Sequence, residues 1–132
     1  MTTRMIFVNL PVKDLGRSVE FFGKLGFSFD PRFTDENATG MIVADNIYVM
    51  LLVEPFFRTF TDKDLSDATR TTEVIVALSA ESRSEVDELV ATAVAAGATI
   101  AREPEDHGTM YGHGFRDLDG HLWELGWMDA SG

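Results

Sequence analysis

The stretch Phe115-Arg116-Asp117-Leu118-Asp119-Gly120-His121-Leu122-Trp123-Glu124-Leu125 reads as a β-hairpin, and its turn residues decide which side chains face each other. Asp117-Leu118-Asp119-Gly120 suits a type I turn with Gly120 in the left-handed bulge position. That turn sets Gly114 across from Glu124. A two-residue turn would set His113 there instead and make His113 and Glu124 an acid/base dyad. The glycine at the fourth position favours the bulge. Strand alternation then puts Leu122, Glu124, Gly126 and Met128 on one face and Trp123, Leu125 and Trp127 on the other. The Trp face is expected to pack against helices.

Working outward, Met110 to Arg116 forms the first arm of this hairpin and Ala98 to Ala101 a short strand before it. Further upstream, Ser82-Arg83-Ser84-Glu85 is a capping box that opens a helix. Val86, Leu89, Val90, Ala93 and Val94 form its apolar stripe, and Gly97 closes it. Glu73 to Leu78 is a β-branched run ahead of that helix. The first half has the same order of elements. Met5 to Val12 is strand-like, and Asp14 caps a helix carrying Leu15, Val19, Phe22 and Leu25 that stops at Gly26. Phe27 to Phe29, Met41 to Ala44 and Ile47 to Val53 follow as strands, with Asp45-Asn46 as a hairpin turn. Both halves therefore read as β-α-β-β-β, a duplication that makes the fold α+β. The expected division is module 1 at 3–55, a connector at 56–71 and module 2 at 72–129. Phe56, Phe57 and Phe60 in the connector read as plugs of the core edge, or as a lid over a pocket.

The 132 residues carry 11 Lys+Arg against 22 Asp+Glu, a formal charge of 11 − 22 = −11. This acidic excess argues against nucleic acid and anionic membrane partners, which need a basic face. With 45% hydrophobic residues and Phe 10, the chain can build one ordinary core despite that charge. The absence of cysteine excludes disulfides, thiolate zinc sites and a thiol nucleophile. The apolar run at Met1 to Leu10 ends at Pro11, too short for an export signal or a membrane span, so a cytoplasmic location is expected. The glycines at 108, 112 and 114 match no phosphate-binding loop, and the serines occupy capping or terminal positions without a nucleophile elbow.

Two stretches carry a resemblance. Val12-Lys13-Asp14-Leu15-Gly16-Arg17-Ser18-Val19-Glu20-Phe21-Phe22, with Leu25-Gly26-Phe27, resembles the opening of the glyoxalase/bleomycin-resistance/extradiol-dioxygenase superfamily, the vicinal oxygen chelate proteins. Phe115 to Leu125 is similar to that family's closing hairpin. The Pro-Phe-Phe connector and the ending Trp123 to Asp129 look most like its "predicted lactoylglutathione lyase" group. The resemblance implies two paired βαβββ modules around a shared small-molecule cavity and a divalent metal, Zn, Ni or Fe, held by up to four side chains. In that pattern Phe7 is read opposite Glu73 and Met50 opposite Glu124. Phe7 and Met50 cannot hold such a cation, so the implied metal site is incomplete: no cofactor is expected unless Glu73 and Glu124 hold an ion, with His107, His113 and His121 as the remaining donors.

Strand alternation places Phe7, Asn9, Met50, Leu52, Glu73, Ile75 and Glu124 on the cavity face. Gly112 and Gly114 leave room for a ligand, and Arg116 sits at the rim. Glu124, with Glu73, is the expected general base; two carboxylates within reach of each other would raise one pKa. Glu73, at a strand start, alternatively points to solvent. The resulting expectation is a small-molecule-binding protein. It is either an enzyme of the glyoxalase I lyase/isomerase type or a non-catalytic, drug-sequestering binder to which an acidic surface would draw cations. A homodimer is expected, and Phe56, Phe57 and Phe60 are candidates for part of its interface.

Overall fold

Short polar side chains open both long helices, as capping requires. In the computed structural model, which describes residues 4–129, the Asp14 carboxylate accepts the Arg17 N–H at 3.1 Å and the Ser82 hydroxyl accepts the Glu85 N–H at 3.0 Å. The Glu85 carboxylate reaches back to the Glu81 N–H at 3.3 Å, one residue earlier than the capping-box reading places it. The two helices also end alike. Gly26 and Gly97 have φ of 100° and 118°, and each lets the next residue donate back across the last turn: Phe27 N–H to Phe22 at 3.1 Å, Ala98 N–H to Ala93 at 2.9 Å.

The chain divides into two units, Met1–Leu65 and Ser66–Gly132. The first contains β1 (Ile6–Val12), α1 (Leu15–Lys24), β2 (Ser28–Asp30), β3 (Ala38–Ala44), β4 (Ile47–Val53) and a one-turn α2 (Glu54–Phe57). Its sheet has the order β1-β4-β3-β2, with β1 parallel to β4 and the other pairs antiparallel. Val8 pairs with Val49 and Leu10 with Leu51, so one face is continuously aliphatic. α1 buries Phe21, Phe22 and Ser18 and packs on β4. The Asp45-Asn46 turn joins Ala44 directly to Ile47, as read. β3 begins at Ala38, three residues before the expected Met41, because its partner β4 runs on to Leu52 and offers hydrogen bonds that hydropathy does not reveal.

The second unit repeats this plan. It contains β5 (Ile75–Ser79), α3 (Arg83–Ala95), β6 (Thr99–Ile100), β7 (Glu105–Asp106), β8 (Met110–Arg116) and β9 (Leu122–Met128). The order is β5-β9-β8-β6, with β7 also on β8, and again the first and last strands are parallel. The structure is thus α+β, with a βαβββ unit in the first half and the same plan plus the two-residue β7 in the second. α3 buries Val86, Val90 and Ala93 against β8 and β9, where Phe115, Trp123 and Leu125 are buried. Leu89 is half-buried and Val94 is exposed, so the stripe is narrower than its sequence pattern. β7 is a strand that the sequence did not announce, since Glu and Asp have little strand preference.

The connector is not structureless. α2 packs on β1 and β4, and a 3₁₀ turn at Arg58–Phe60 follows. Phe56 and Phe57 are half-buried, whereas Phe60 stands exposed, edge-on to Phe56 at 5.3 Å. Two of the three expected plugs therefore touch the core edge. Thr3, where module 1 was expected to begin, lies outside the described residues. Among the described residues, no helix is long and apolar enough to cross a membrane.

Candidate functional site

The final hairpin adopts the bulged turn. Gly120 has φ 90° and donates to the Asp117 carbonyl at 3.0 Å, and the Asp117 N–H donates to the His121 carbonyl at 2.9 Å. A side chain at Gly120 would also strike the Ala68 backbone oxygen, 2.8 Å from the Cβ position. The Asp117 carboxylate organises the turn from inside. One oxygen accepts the N–H groups of Asp119 and His121 at 2.9 and 3.0 Å, and the other accepts Trp123 Nε1–H at 2.9 Å. Burial raises its pKa, against the opposing pull of His121 and these hydrogen bonds.

This turn fixes the register with Gly114 across from Glu124 and Gly112 across from Gly126. His113 pairs with Leu125 on the opposite face, so the alternative His113–Glu124 dyad does not form. His113 Nε2 is buried without a hydrogen-bond partner. A Cβ on Gly114 would lie 2.6 Å from the Trp123 oxygen and 3.1 Å from the Glu124 carboxylate. The glycine is thus what lets the Glu124 side chain lie back across β8.

There it meets Arg102, which sequence reasoning missed. Arg102 Nη2–H donates to both Glu124 oxygens at 3.1 Å, and Nε–H donates to Oε1 at 3.3 Å. Ala101, whose N–H bonds the Gly114 carbonyl at 3.3 Å, places Arg102 at this spot. Arg102 also pairs with Glu105, and His107 Nε2 lies 3.4 Å from the same Glu105 carboxylate. Arg102, Glu105 and His107 line a groove of about 360 Å³ together with Ser79, the Gly112–Gly126 pair and the next pair on that face, Met110 and Met128. Arg83 braces its outer segment. Its guanidinium stacks over Tyr111 and Trp127 at 5.3 and 5.0 Å and donates to Asp106 at 2.6 Å and the Gly108 carbonyl at 2.7 Å. That ion pair lowers the Asp106 pKa to about 2.

Glu73 needs correction. Ile75 pairs with Leu122 and Ala77 with Glu124, so Glu73 precedes the ladder, exposed. Extended to Glu73, that register would leave it level with Gly120, about 13 Å along the strand axis from Glu124. Counting back seven residues from the caps Asp14 and Ser82 gives Phe7 and Ile75, and the structure pairs both at matching places. Ile75, not Glu73, is the counterpart of Phe7. The expected carboxylate pair is not assembled.

In the first unit, Phe7 stacks on Tyr48 at 5.2 Å and meets Phe33 edge-on at 5.4 Å, and Phe33 closes on Tyr48 at 5.5 Å. Asn9 donates to the Phe7 carbonyl at 3.1 Å, Leu52 is buried, and Met50 Sδ lies 3.2 Å from the Cβ position of Gly40. Phe7, Asn9, Met50 and Leu52 share one face, as alternation required, but rings fill much of it. Arg116 is exposed and donates to the Ile100 carbonyl at 3.4 Å, pairing with Leu122 on the Glu124 face.

Residues 4–125 match the family described as Glyoxalase/Bleomycin resistance protein/Dioxygenase superfamily. The chain belongs to this superfamily. Among solved structures, a hypothetical protein, SA1046, from S. aureus is 31% identical with a TM-score of 0.79, covering 95% of this chain and 93% of that one. A glyoxalase/bleomycin resistance protein/dioxygenase family enzyme from Burkholderia phytofirmans PsJN is 16% identical with a TM-score of 0.78, covering 96% and 99%. The fosfomycin resistance protein FosX from Listeria monocytogenes is 19% identical with a TM-score of 0.70, covering 99% and 98%. The last two show a shared fold. A comparison with curated proteins finds no match.

The superfamily resemblance implies a divalent metal, and the residues present do not fit one. The four corresponding positions are Phe7, Met50, Ile75 and Glu124, a single oxygen donor where three or four ligands are needed. Glu124 is moreover already bound by a guanidinium. Among the described residues, no group of three His, Cys, Asp or Glu side chains is placed to hold a metal ion. His121 is buried in the hairpin turn and His107 lies beside Glu105.

Proposed function

We propose that this superfamily member is a small-molecule-binding protein whose ligand enters the groove of the second unit and which holds no divalent metal at Glu124. The observation that carries this reading is the Arg102–Glu124 pair laid over Gly114. Glu124 has a side-chain exposure of 18% and satisfies its charge through a bidentate guanidinium. A carboxylate held this way is neither a free general base nor an available metal ligand. The neighbouring Gly112 and Gly126 leave the floor of the groove without side chains, and a groove of this size lies in the range of small-ligand sites.

Lactoylglutathione lyase activity of the metal-dependent type is the reading that this arrangement disfavours. Elemental analysis of the purified protein, together with turnover of the methylglyoxal–glutathione adduct, separates the two. We expect no stoichiometric Zn, Ni or Fe and no turnover. A bound metal whose removal by chelator abolishes isomerisation would overturn the proposal. Gly126→Leu tests the location. No atom lies within 4 Å of the Cβ position, so the new side chain enters the groove without displacing the protein and should abolish ligand binding while leaving the fold intact.

The reading includes a homodimer acting in the cytoplasm. Its support is the apolar exposure along the edge strands, where Ile6 and Ile75 are 54% and 53% exposed. Light scattering should give twice 14.6 kDa at micromolar concentration; a monomer mass would sink this part of the proposal.

A further inference from the structure

We infer that the groove selects a small carboxylate with an apolar body, and that Arg102 is the residue that recognises it. This rests on the reading of the groove as the ligand site.

Arg102 is held on two sides by unequal partners. Glu124 grips it bidentately from a strand, with 18% side-chain exposure, whereas Glu105 holds it from the exposed side as an i,i+3 pair with 55% exposure. Pairs as exposed as the second contribute little, because solvent screens them and both side chains lose freedom. Glu105 is therefore the replaceable partner and Glu124 the fixed one. Glu105 also lies against two nitrogen groups of the groove, Arg102 and His107, the latter at 3.4 Å. A carboxylate of the chain itself thus rests where a ligand carboxylate would be bound, and it can swing into solvent at small cost.

Glu124 then acts as a positioning residue. It orients the guanidinium fork and leaves the Glu105-facing edge to the ligand. The apolar body of the ligand lies on Gly112 and Gly126 against the adjacent cross-strand pair Met110 and Met128, where thioether side chains adapt to irregular shapes. A cationic ligand taking Glu124 as its partner would have to displace Arg102 from the bidentate contact, and at Glu105 it would meet the same guanidinium. Local geometry thereby opposes the preference that the net charge of −11 alone implies.

The test uses the full chain and three probes of one shape and different charge: benzoate, benzamide and benzamidine, followed by calorimetry and thermal shift. Benzoate is expected to bind and benzamidine not. Arg102→Gln should weaken benzoate by about tenfold or more, the scale of losing a charge-assisted pair. Glu105→Gln should strengthen it by roughly threefold, because the internal competitor is removed. The second variant alters an exposed side chain and keeps the test valid should Arg102→Gln fail to fold. A purely structural role for Arg102 would not produce that gain. Preference for benzamidine, weaker benzoate binding in Glu105→Gln, or no response to benzoate would each overturn the inference. If benzoate fails but benzamide binds and Gly126→Leu blocks it, the groove remains the ligand site and only the carboxylate assignment falls. If no probe binds and Gly126→Leu changes nothing, the reading of the groove falls too.

Discussion

The two units share strand order, helix caps and parallel first-to-last pairing, yet their corresponding faces have opposite contents. In the first unit, Phe7, Phe33 and Tyr48 meet one another at 5.2–5.5 Å, and Met50 presses toward Gly40. In the second, the positions matching Tyr48 and Met50 are Leu122 and Glu124, and the next residue on that face is Gly126. One sheet covers its face with its own side chains, whereas the other leaves a groove at which Arg102 pairs with Glu124 and Glu105. A duplicated backbone therefore does not imply a duplicated site. The backbone repeats because caps, turns and alternation repeat, and the chemistry differs because it resides in a few side chains that backbone geometry does not constrain.

The largest expected effect lies in the hairpin that supports the groove. Trp123→Ala should cost about 3–5 kcal/mol by urea denaturation, since it removes a buried ring stacked on Phe115 and leaves the buried Asp117 oxygen without its indole donor. An effect below about 1 kcal/mol would mean that the hairpin is not anchored from this face. Gly114→Ala comes next, at about 1–3 kcal/mol, because its Cβ must displace the Trp123 carbonyl. Gly126→Ala, one pair away on the same face, should stay within about 0.5 kcal/mol of wild type. Equal effects from the two glycines would break the register on which the site depends. Phe7→Ala should cost about 1–2 kcal/mol and open the face of the first unit; Phe7 is 38% exposed, so it loses less than a fully buried ring.

The smallest effects are electrostatic and have opposite signs. The folded Asp117 pKa is raised by burial, so its stabilising contribution is present below the unfolded value of 3.8 and is lost as pH rises through the folded value. The folded Asp106 pKa is lowered to about 2 by Arg83, so its contribution is present above 3.8 and is lost as pH falls toward 2. In melting temperatures recorded across this range, Asp106→Asn should remove part of the acid loss, and Asp117→Asn should remove part of the decline on the alkaline side. If both variants bend the profile the same way, the assignment is wrong.

Much of this was legible in the sequence, and what was not has physical causes. The bulged turn was readable because Gly120 alone tolerates φ 90°, and from the turn followed the Gly114–Glu124 register. The helix caps and stops were readable for similar local reasons. Glu73 was misplaced because a carboxylate ahead of a β-branched run carries no periodicity of its own, and the start of β5 is set by its pairing with Leu122. A count from the caps would have corrected it. Arg102 was invisible to local patterns since it sits between Ala101 and Glu103-Pro104 outside any strand. The available signal was indirect: a mid-strand glutamate on a half-buried face demands a cation, and antiparallel pairing of 99–101 with β8 brings residue 102 toward it. Phe60 does not plug the core edge, because a ring in a connector has no periodic constraint that turns it inward.

The parallel pairing of first and last strands also governs the order in which the protein can be made. Ile6 finds its ladder partner only once Ile47 has been synthesised, and Ile75 waits for Leu122. Each unit thus closes a long loop to complete its sheet, the kind of non-local contact that slows folding. On a ribosome, the opening strand of each half would emerge first and dock last, its backbone unpaired while the rest of its unit is still being translated.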